Sequence, residues 1–411
     1  AWGSDDKTTA MTAPETHPQR PPEIDEARPN QARISQTQPD ITELETRYVQ
    51  QALESGWLAG GGAFATAAAG HLTAALGCSD VILTTSGTDA LELAALLLDV
   101  GPGDIVVLPS FTFASVATAF ARTGARLRFA DIERETLGID PSSLSELMDE
   151  SVRAVVPVHY GGMAIDLDGV NKVLARFERA QLVEDNAHGL FGSFRGKPLG
   201  TFGPVGATSF HATKNLVAGE GGALLINDGA LAKRAHVMAD KGTDRQAFLQ
   251  GTVDKYTWRD TGSSFILAEP LAALLSAQLE RRHEIHAKRA DLYYRYTTLL
   301  TPESKAGRFE LPGSREGCQP VRHLFYVLLE SETVRDAVAA DLQAEGIVAT
   351  FHYLPLHAAP AAARFTDSPS PCPVADDVSR RLLRLPFHTG VDAERSERVA
   401  EAFLAALERH G

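Results

Sequence analysis

The chain reads as an α/β protein, with a large domain on a mainly parallel seven-stranded sheet and a smaller C-terminal α+β domain. Three observations lead there. Between about residues 81 and 227, seven short β-rich runs alternate with helical stretches, the pattern of strand–helix–strand units. Several of the runs are apolar nearly throughout, as strands covered on both faces are. Beyond about Phe309 the alternation gives way to two further strands and two long helices.

Taken in order, residues 1–33 are polar and proline-rich and lack the apolar run of a secretory signal, so they are expected to form a disordered tail. Ala1-Trp2-Gly3-Ser4 is consistent with an expression scar ahead of a natural start at Met11. Asp40 to Ser55 has the spacing of an amphipathic helix ending at Gly56, and Trp57 to Gly62 reads as a mobile glycine-rich loop. The strands are expected at Val81–Thr84, Ile105–Pro109, Leu127–Ala130, Ala154–Val158, Leu182–Glu184, Ala207–Phe210 and Ala223–Ile226. Helices are expected at Asp89–Asp99, Ser115–Arg122, Leu144–Asp149 and Asp168–Glu178. Glu269 to Leu300 forms one or two long helices, with Pro270 acceptable in a first turn. Strand Leu324–Leu329, helix Thr333–Glu345, strand Val348–Tyr353 and helix Glu394–Arg409 complete the chain. The domains expected are residues 34–285 and 286–411.

Composition narrows the function classes. The 411 residues carry 39 basic and 53 acidic side chains, a net charge of −14, with no basic run. Nucleic acid is therefore not an expected partner. No apolar stretch reaches the roughly 18 residues of a membrane span. The three cysteines, Cys78, Cys318 and Cys372, lie far apart. They suit a reducing cytoplasm rather than a disulfide framework, and no metal-ligand spacing occurs.

The chemistry gathers at strand ends. Lys214 closes the run Ser209-Phe210-His211-Ala212-Thr213-Lys214 and precedes the turn Gly219-Glu220-Gly221-Gly222. It is either a solvated surface lysine or a lysine placed for a Schiff base with an aldehyde cofactor. Ser86-Gly87-Thr88 opens a helix after the first strand, as an ordinary N-cap or as a phosphate site on backbone N–H groups. Asp185, in Glu184-Asp185-Asn186-Ala187-His188, is a helix cap or a carboxylate that keeps a pyridine nitrogen protonated. His188 is a structural histidine or a donor to a phenolic oxygen. Phe113 is a core residue or a stacking platform for a flat ring. Ser209 is a strand serine or a phosphate ligand.

The joint order of these segments resembles a fold-type I pyridoxal phosphate enzyme, and within that class the DegT/DnrJ/StrS family of nucleotide-sugar aminotransferases. The resemblance runs from about Pro39 to the C-terminus. It is carried by residues 83–91, 108–113, 156–162, 183–189 and 209–222. It is closest to the TDP-4-keto-6-deoxyglucose 4-aminotransferases, through residues 156–160, 241–245, 253–264 and 351–357. The resemblance implies that Lys214 is the Schiff-base lysine and proton carrier, Asp185 the pyridinium partner and His188 the contact to the phenolic oxygen. It further implies that Phe113 stacks on the ring and that Ser86, Gly87, Thr88 and Ser209 hold the phosphate. Ser264 stands where many relatives send an asparagine from a neighbouring subunit, so shared active sites in a homodimer, or a higher oligomer, are implied. His159, Tyr160, Lys241, Arg245, Lys255, Tyr256 and Arg259 are the implied contacts to the sugar nucleotide.

The implied reaction is amination of a TDP-linked 4-keto-6-deoxy sugar by L-glutamate, which leaves as 2-oxoglutarate. Two other readings stand beside it. One is another pyridoxal phosphate reaction on a keto sugar nucleotide, above all 3-amination. Relatives acting at C3 usually read His-Leu-Tyr-Gly where this chain has His159-Tyr160-Gly161. Dehydratases of the family replace the lysine by histidine, which Lys214 argues against. The other is a regulatory protein on the same fold, for which an intact Lys214 and Asp185 would serve no purpose.

Overall fold

Glycine and proline punctuation marks the element ends closely, because the strands between are apolar and buried on both faces. The computed structural model describes residues 33–249 and 251–411, so the expected N-terminal tail lies, but for Arg33, outside the described residues. The chain begins with α1 (Glu43–Glu54) and α2 (Ala63–Leu76). It then runs β1 (Asp80–Thr84), α3 (Gly87–Leu97), β2 (Ile105–Pro109), α4 (Ala114–Ala121), β3 (Arg126–Ala130), α5 (Pro141–Leu147), β4 (Val152–Val155), α6 (Leu167–Leu174) and β5 (Gln181–Asp185). Strands β6 (Val205–Ser209) and β7 (Gly222–Ile226) precede α7 (Ala232–Ala239), α8 (Glu269–Glu280) and α9 (Arg282–Lys305). The C-terminal part holds β8 (Phe325–Leu328), α10 (Glu332–Ala344), α11 (Pro373–Arg381), β9 (Leu382–Leu385) and α12 (Ala393–His410).

The large sheet has seven strands in the order β1-β7-β6-β5-β4-β2-β3. Strand β7 runs antiparallel to both its neighbours, and the pairings from β6 through β3 are parallel. All strands but β7 therefore end on one edge, where ligands of open α/β sheets sit. Helix α3 and strands β2, β5 and β6 share one apolar core, and α2, α8 and β7 contribute to a second on the other face. A further core joins α9, β8, β9, α10 and α12 around Tyr296, Phe325 and Phe403. Residues 34–411 hold together as one unit. The expected boundary after residue 285 falls inside α9.

Two local expectations change. Helix α2 was not legible, because its N-cap is a glycine and its capping acid comes from far along the chain. Glu269, at the start of α8, accepts hydrogen bonds from the backbone N–H groups of Gly62 (3.0 Å) and Phe64 (2.6 Å). That supplies the anionic partner a helix start favours. The strand expected at Val348–Tyr353 is not formed. Only Thr350 pairs, with Arg384 on β9. Beyond Thr350 the chain leaves the two-stranded β8–β9 sheet and brings His352 and Tyr353 against the ring of Tyr160. Among the described residues, no helix is long and apolar enough to cross a membrane.

Candidate active site

Adjacent residues of a strand point to opposite faces, and β5 uses this to separate two acids. Glu184 points into the protein and is fully buried. Its carboxylate accepts the N–H groups of Gly200 (2.7 Å), Phe202 (2.5 Å) and Gly203 (3.0 Å) and pairs with His159 Nε2 at 3.0 Å. His159 Nδ1 accepts from Ile165 N–H, so both ring nitrogens are occupied. His159 was expected to touch substrate. Its side chain is instead fully buried against Glu184, beneath the strand end. With Nδ1 accepting, Nε2 donates to the carboxylate, and leaving that buried acceptor short of a donor costs at least about 1–3 kcal/mol. His159 N–H also donates to Asp185 O at 3.3 Å, which ties the pair to the strand end that carries Asp185.

Asp185 lies on the other face of β5. One oxygen accepts from Ala187 N–H at 3.0 Å. Burial pushes the carboxyl above its usual range, while that hydrogen bond and the charge of Lys214 pull the other way. A carboxylate so placed needs a cationic partner.

Lys214 is carried by a closed loop. Backbone hydrogen bonds join Phe210 N to Gly221 O, Ala212 N to Gly219 O and Lys214 N to His211 O, each 2.8 Å. The half-buried side chain lines a cleft together with His188, Ser209, Asn215 and His286 among others. Loss of surrounding water pushes its pKa down to about 8, with Arg384 adding to the fall and Asp185 opposing it. His188 is buried, and its Nδ1 accepts from Gly161 N–H at 3.3 Å. That bond leaves the proton of the neutral ring on Nε2. Burial, helped by the charge of Lys214, holds the ring well below its ordinary pKa and keeps it neutral.

The start of α3 closes the other end of the site. Ser86 Oγ accepts from Asp89 N–H at 3.0 Å as the N-cap, which leaves its O–H free to donate. The first N–H groups of a helix, here Gly87 and Thr88, have no acceptor inside it. Strand β7 begins beside them: a Cβ on Gly222 would meet Ser86 O at 2.4 Å and Gly87 N at 2.5 Å. On the other side a Cβ on Gly87 would meet Ser209 Cβ at 2.9 Å. The two glycines allow β6, β7 and α3 to bring Ser209 and the helix start together as a cradle for an anion. Thr88 Oγ1 donates to Ser115 Oγ at 2.7 Å. Phe113, at the N-cap of α4, is 61% exposed, with its ring 6.1 Å from that of Tyr353.

A pyridoxal phosphate group fits this set. A helix start and Ser209 suit its phosphate, a buried acid suits its ring nitrogen, and a lysine depressed by burial suits its aldehyde.

The remaining expected residues do not line the Lys214 cleft. Tyr160 is buried, with its hydroxyl 2.8 Å from His352 Nδ1. Lys241 and Arg245 both pair with the buried Asp240, at 2.9 and 3.4 Å. Arg259 pairs with Asp244 at 2.7 Å. Lys255, Tyr256 and Ser264 are exposed. None of these loop residues lines the Lys214 cleft.

Four neighbours of the site were missed as functional residues. His323 stacks on His188 at 4.1 Å and binds Asn215 Oδ1 at 2.8 Å. His352 and Tyr353 pack on Tyr160. Arg384 acts electrostatically on Lys214 and on all three histidines. His352-Tyr353 falls in a segment that carried the resemblance. His323 and Arg384 have no local signal.

Comparison with known proteins identifies the family. The model of the DegT/DnrJ/EryC1/StrS aminotransferase family matches residues 39–404. A dTDP-4-dehydro-2,3,6-trideoxy-D-glucose 4-aminotransferase of Saccharopolyspora spinosa is 33% identical over 335 residues, covering 80% of this chain and 85% of that protein. Among solved structures, the aminotransferase TlmJ of Streptoalloteichus hindustanus superposes with a TM-score of 0.84 at 31% identity, over 92% of this chain and 99% of TlmJ. The PLP-form of a putative sugar aminotransferase, Spr1654 of Streptococcus pneumoniae, gives a TM-score of 0.84 at 26% identity, over 92% and 100%. The chain therefore belongs to the DegT/DnrJ/EryC1/StrS family of sugar aminotransferases, with the fold-type I architecture, and is a pyridoxal phosphate-dependent enzyme.

Proposed function

We propose that this enzyme transfers the amino group of L-glutamate to C4 of TDP-4-keto-6-deoxy-D-glucose. The product is a TDP-4-amino-4,6-dideoxy hexose for a natural product or a cell-surface glycan, made in the cytoplasm. The observation that carries the reading is the meeting of half-buried Lys214 with Asp185 and His188 at one strand edge. The 4-aminotransferase relative supports position and nucleotide. Gly87, Thr88 and Ser209 hold the phosphate, Asp185 the ring nitrogen, His188 Nε2 the phenolic oxygen and Phe113 one ring face. Bound there, the cofactor supplies an electron sink for the substrate carbon. Lys214 takes the proton from Cα of glutamate and returns one at C4 of the sugar. In a homodimer with shared sites, exposed Ser264 reaches the neighbouring subunit's phosphate cradle, and exposed Lys255 and Tyr256 the sugar nucleotide.

The test is incubation of the holoenzyme with TDP-4-keto-6-deoxyglucose and L-glutamate. One equivalent of 2-oxoglutarate should appear for each aminated sugar, and proton couplings at C4 should identify the amine-bearing carbon. Amination at C3, or no release of 2-oxoglutarate, would overturn the assignment.

A pH dependence follows from Lys214. Its ordinary pKa is 10.5 and burial brings it to about 8. The unfolded chain therefore binds more protons than the folded one between those values, and the stability of the cofactor-free protein rises with pH across that window. Lys214 must be neutral to accept a proton. The single-turnover rate of enzyme preloaded with pyridoxamine phosphate, acting on the keto sugar, should climb about tenfold per pH unit below about pH 8 and level off above it. A rate independent of pH between about 6 and 9 would show that Lys214 is not the titrating group.

A further inference from the structure

A cation close enough to act on Lys214 is left unused by the reaction as described. Arg384 lies on β9 with its Cα opposite Tyr326 on β8. The residues flanking it, Leu383 and Leu385, point into the C-terminal core, so by strand alternation Arg384 and Tyr326 share the opposite face. On that face the Tyr326 ring lies 6.0 Å from Tyr160, and Tyr160 in turn contacts His352 and His188.

The guanidinium is anchored but incompletely used. Backbone hydrogen bonds tie Arg384 to Thr350 in both directions, at 2.8 and 3.2 Å, and Nη2 donates to Thr350 Oγ1 at 2.9 Å. Its Nε is buried and has no hydrogen-bond partner. Among the described residues Arg384 makes no ion pair with a carboxylate. The other cations considered are committed: Arg289 donates to the backbone carbonyls of Arg322, His323 and Phe387, while Lys241, Arg245 and Arg259 pair with Asp240 and Asp244. A buried donor on a permanent charge costs free energy until an acceptor reaches it. A planar carboxylate, which can accept from Nε and an Nη together, matches that need best.

We propose that Arg384 binds the α-carboxylate of the amino donor, and of the 2-oxo acid it becomes. This rests on the reading that Lys214 moves a proton at the donor's Cα. The α-carboxylate is one bond from that carbon, so its partner must lie in the surroundings of Lys214. The diphosphate of a sugar nucleotide is a whole sugar ring away from the reacting carbon and belongs farther out. The charge of Arg384 also acts on Lys214, His188, His323 and His352, all of which it disfavours in their protonated forms. The site thus presents fixed positive charge among neutral rings, which suits an anion that enters with the donor and leaves with the 2-oxo acid.

The test uses holoenzyme carrying Arg384→Gln, Arg384→Lys or neither. Stopped-flow spectra of the bound cofactor give the glutamate half-reaction, and calorimetry gives the affinity for glutarate. The expected result for R384Q is a KM for glutamate raised roughly 30-fold or more, with glutarate binding weakened in parallel. The KM for the keto sugar nucleotide should move far less. R384K, which keeps the charge but not the fork, should fall between, and it alone decides the matter if R384Q does not fold. An unchanged glutamate KM, or a larger rise in the sugar nucleotide's KM, would overturn the proposal. Wild-type enzyme that fails to deaminate glutamate would instead overturn the functional reading beneath it.

Discussion

Lys214→Ala should lose the covalent link to the cofactor and turnover together. The wild-type holoenzyme is expected to show a visible cofactor band that borohydride bleaches, leaving a reduced adduct that peptide mapping places on Lys214. The variant should retain no such adduct. Its turnover should fall by at least about 10³-fold, since a positioned acid–base group alone contributes roughly 10²–10⁴. Both losses come from one side chain because the loop from Phe210 to Gly221 holds it in one place. Stability should not fall with activity. A lysine held near pKa 8 is a net cost to the folded state at neutral pH. A cofactor-free Lys214→Ala protein that melts at or above the temperature of the cofactor-free wild type, yet neither binds cofactor covalently nor aminates the sugar, is the expected outcome. If it still aminates the sugar at an appreciable rate, another group carries the proton.

The strand edge around Lys214 was legible for a physical reason. Parallel strands buried on both faces are short apolar runs, and the polar residues that follow them, Ser86, Asp185 and Ser209, mark where the sheet ends. The sheet direction then brings them together without further information. What was not legible depends on partners distant in sequence. Helix α2 is capped by Glu269, some 200 residues away. His159 was expected at the substrate through the family resemblance, and nothing near it in sequence announces that Glu184 turns inward to meet it. Arg384 and His323 come from the C-terminal part, which reaches the cleft through contacts distant in sequence, among them Tyr326 on Tyr160 and His323 on His188. The loop cations Lys241 and Arg245 carried a family signal, yet both are tied to Asp240. If they bind the diphosphate, it must compete with that carboxylate or draw on exposed Lys255.

The second large effect belongs to Asp185→Asn. The substitution is nearly isosteric and keeps an oxygen that can accept from Ala187 N–H, so β5 and the turn after it should stay in place. What is lost is the negative charge. The carboxyl is already strained by burial, which favours its neutral form, and a protonated ring nitrogen would restore the ionised form by pairing with it. An amide offers no such stabilisation, so the ring nitrogen loses its proton and the cofactor loses much of its ability to accept electrons. Loss of one partner of a buried charge pair is worth about 3–5 kcal/mol, or roughly 10²–10⁴-fold in the rate of glutamate deamination. Cofactor should remain attached through Lys214, because the phosphate cradle at Gly87, Thr88 and Ser209 is untouched. The informative measurement is therefore the glutamate half-reaction on fully loaded enzyme, with the borohydride adduct as the loading control. Loaded D185N that deaminates glutamate at the wild-type rate would remove Asp185 from the chemistry and leave it a purely structural end to β5. A slow half-reaction on a fully loaded, normally melting protein would assign it to the ring nitrogen.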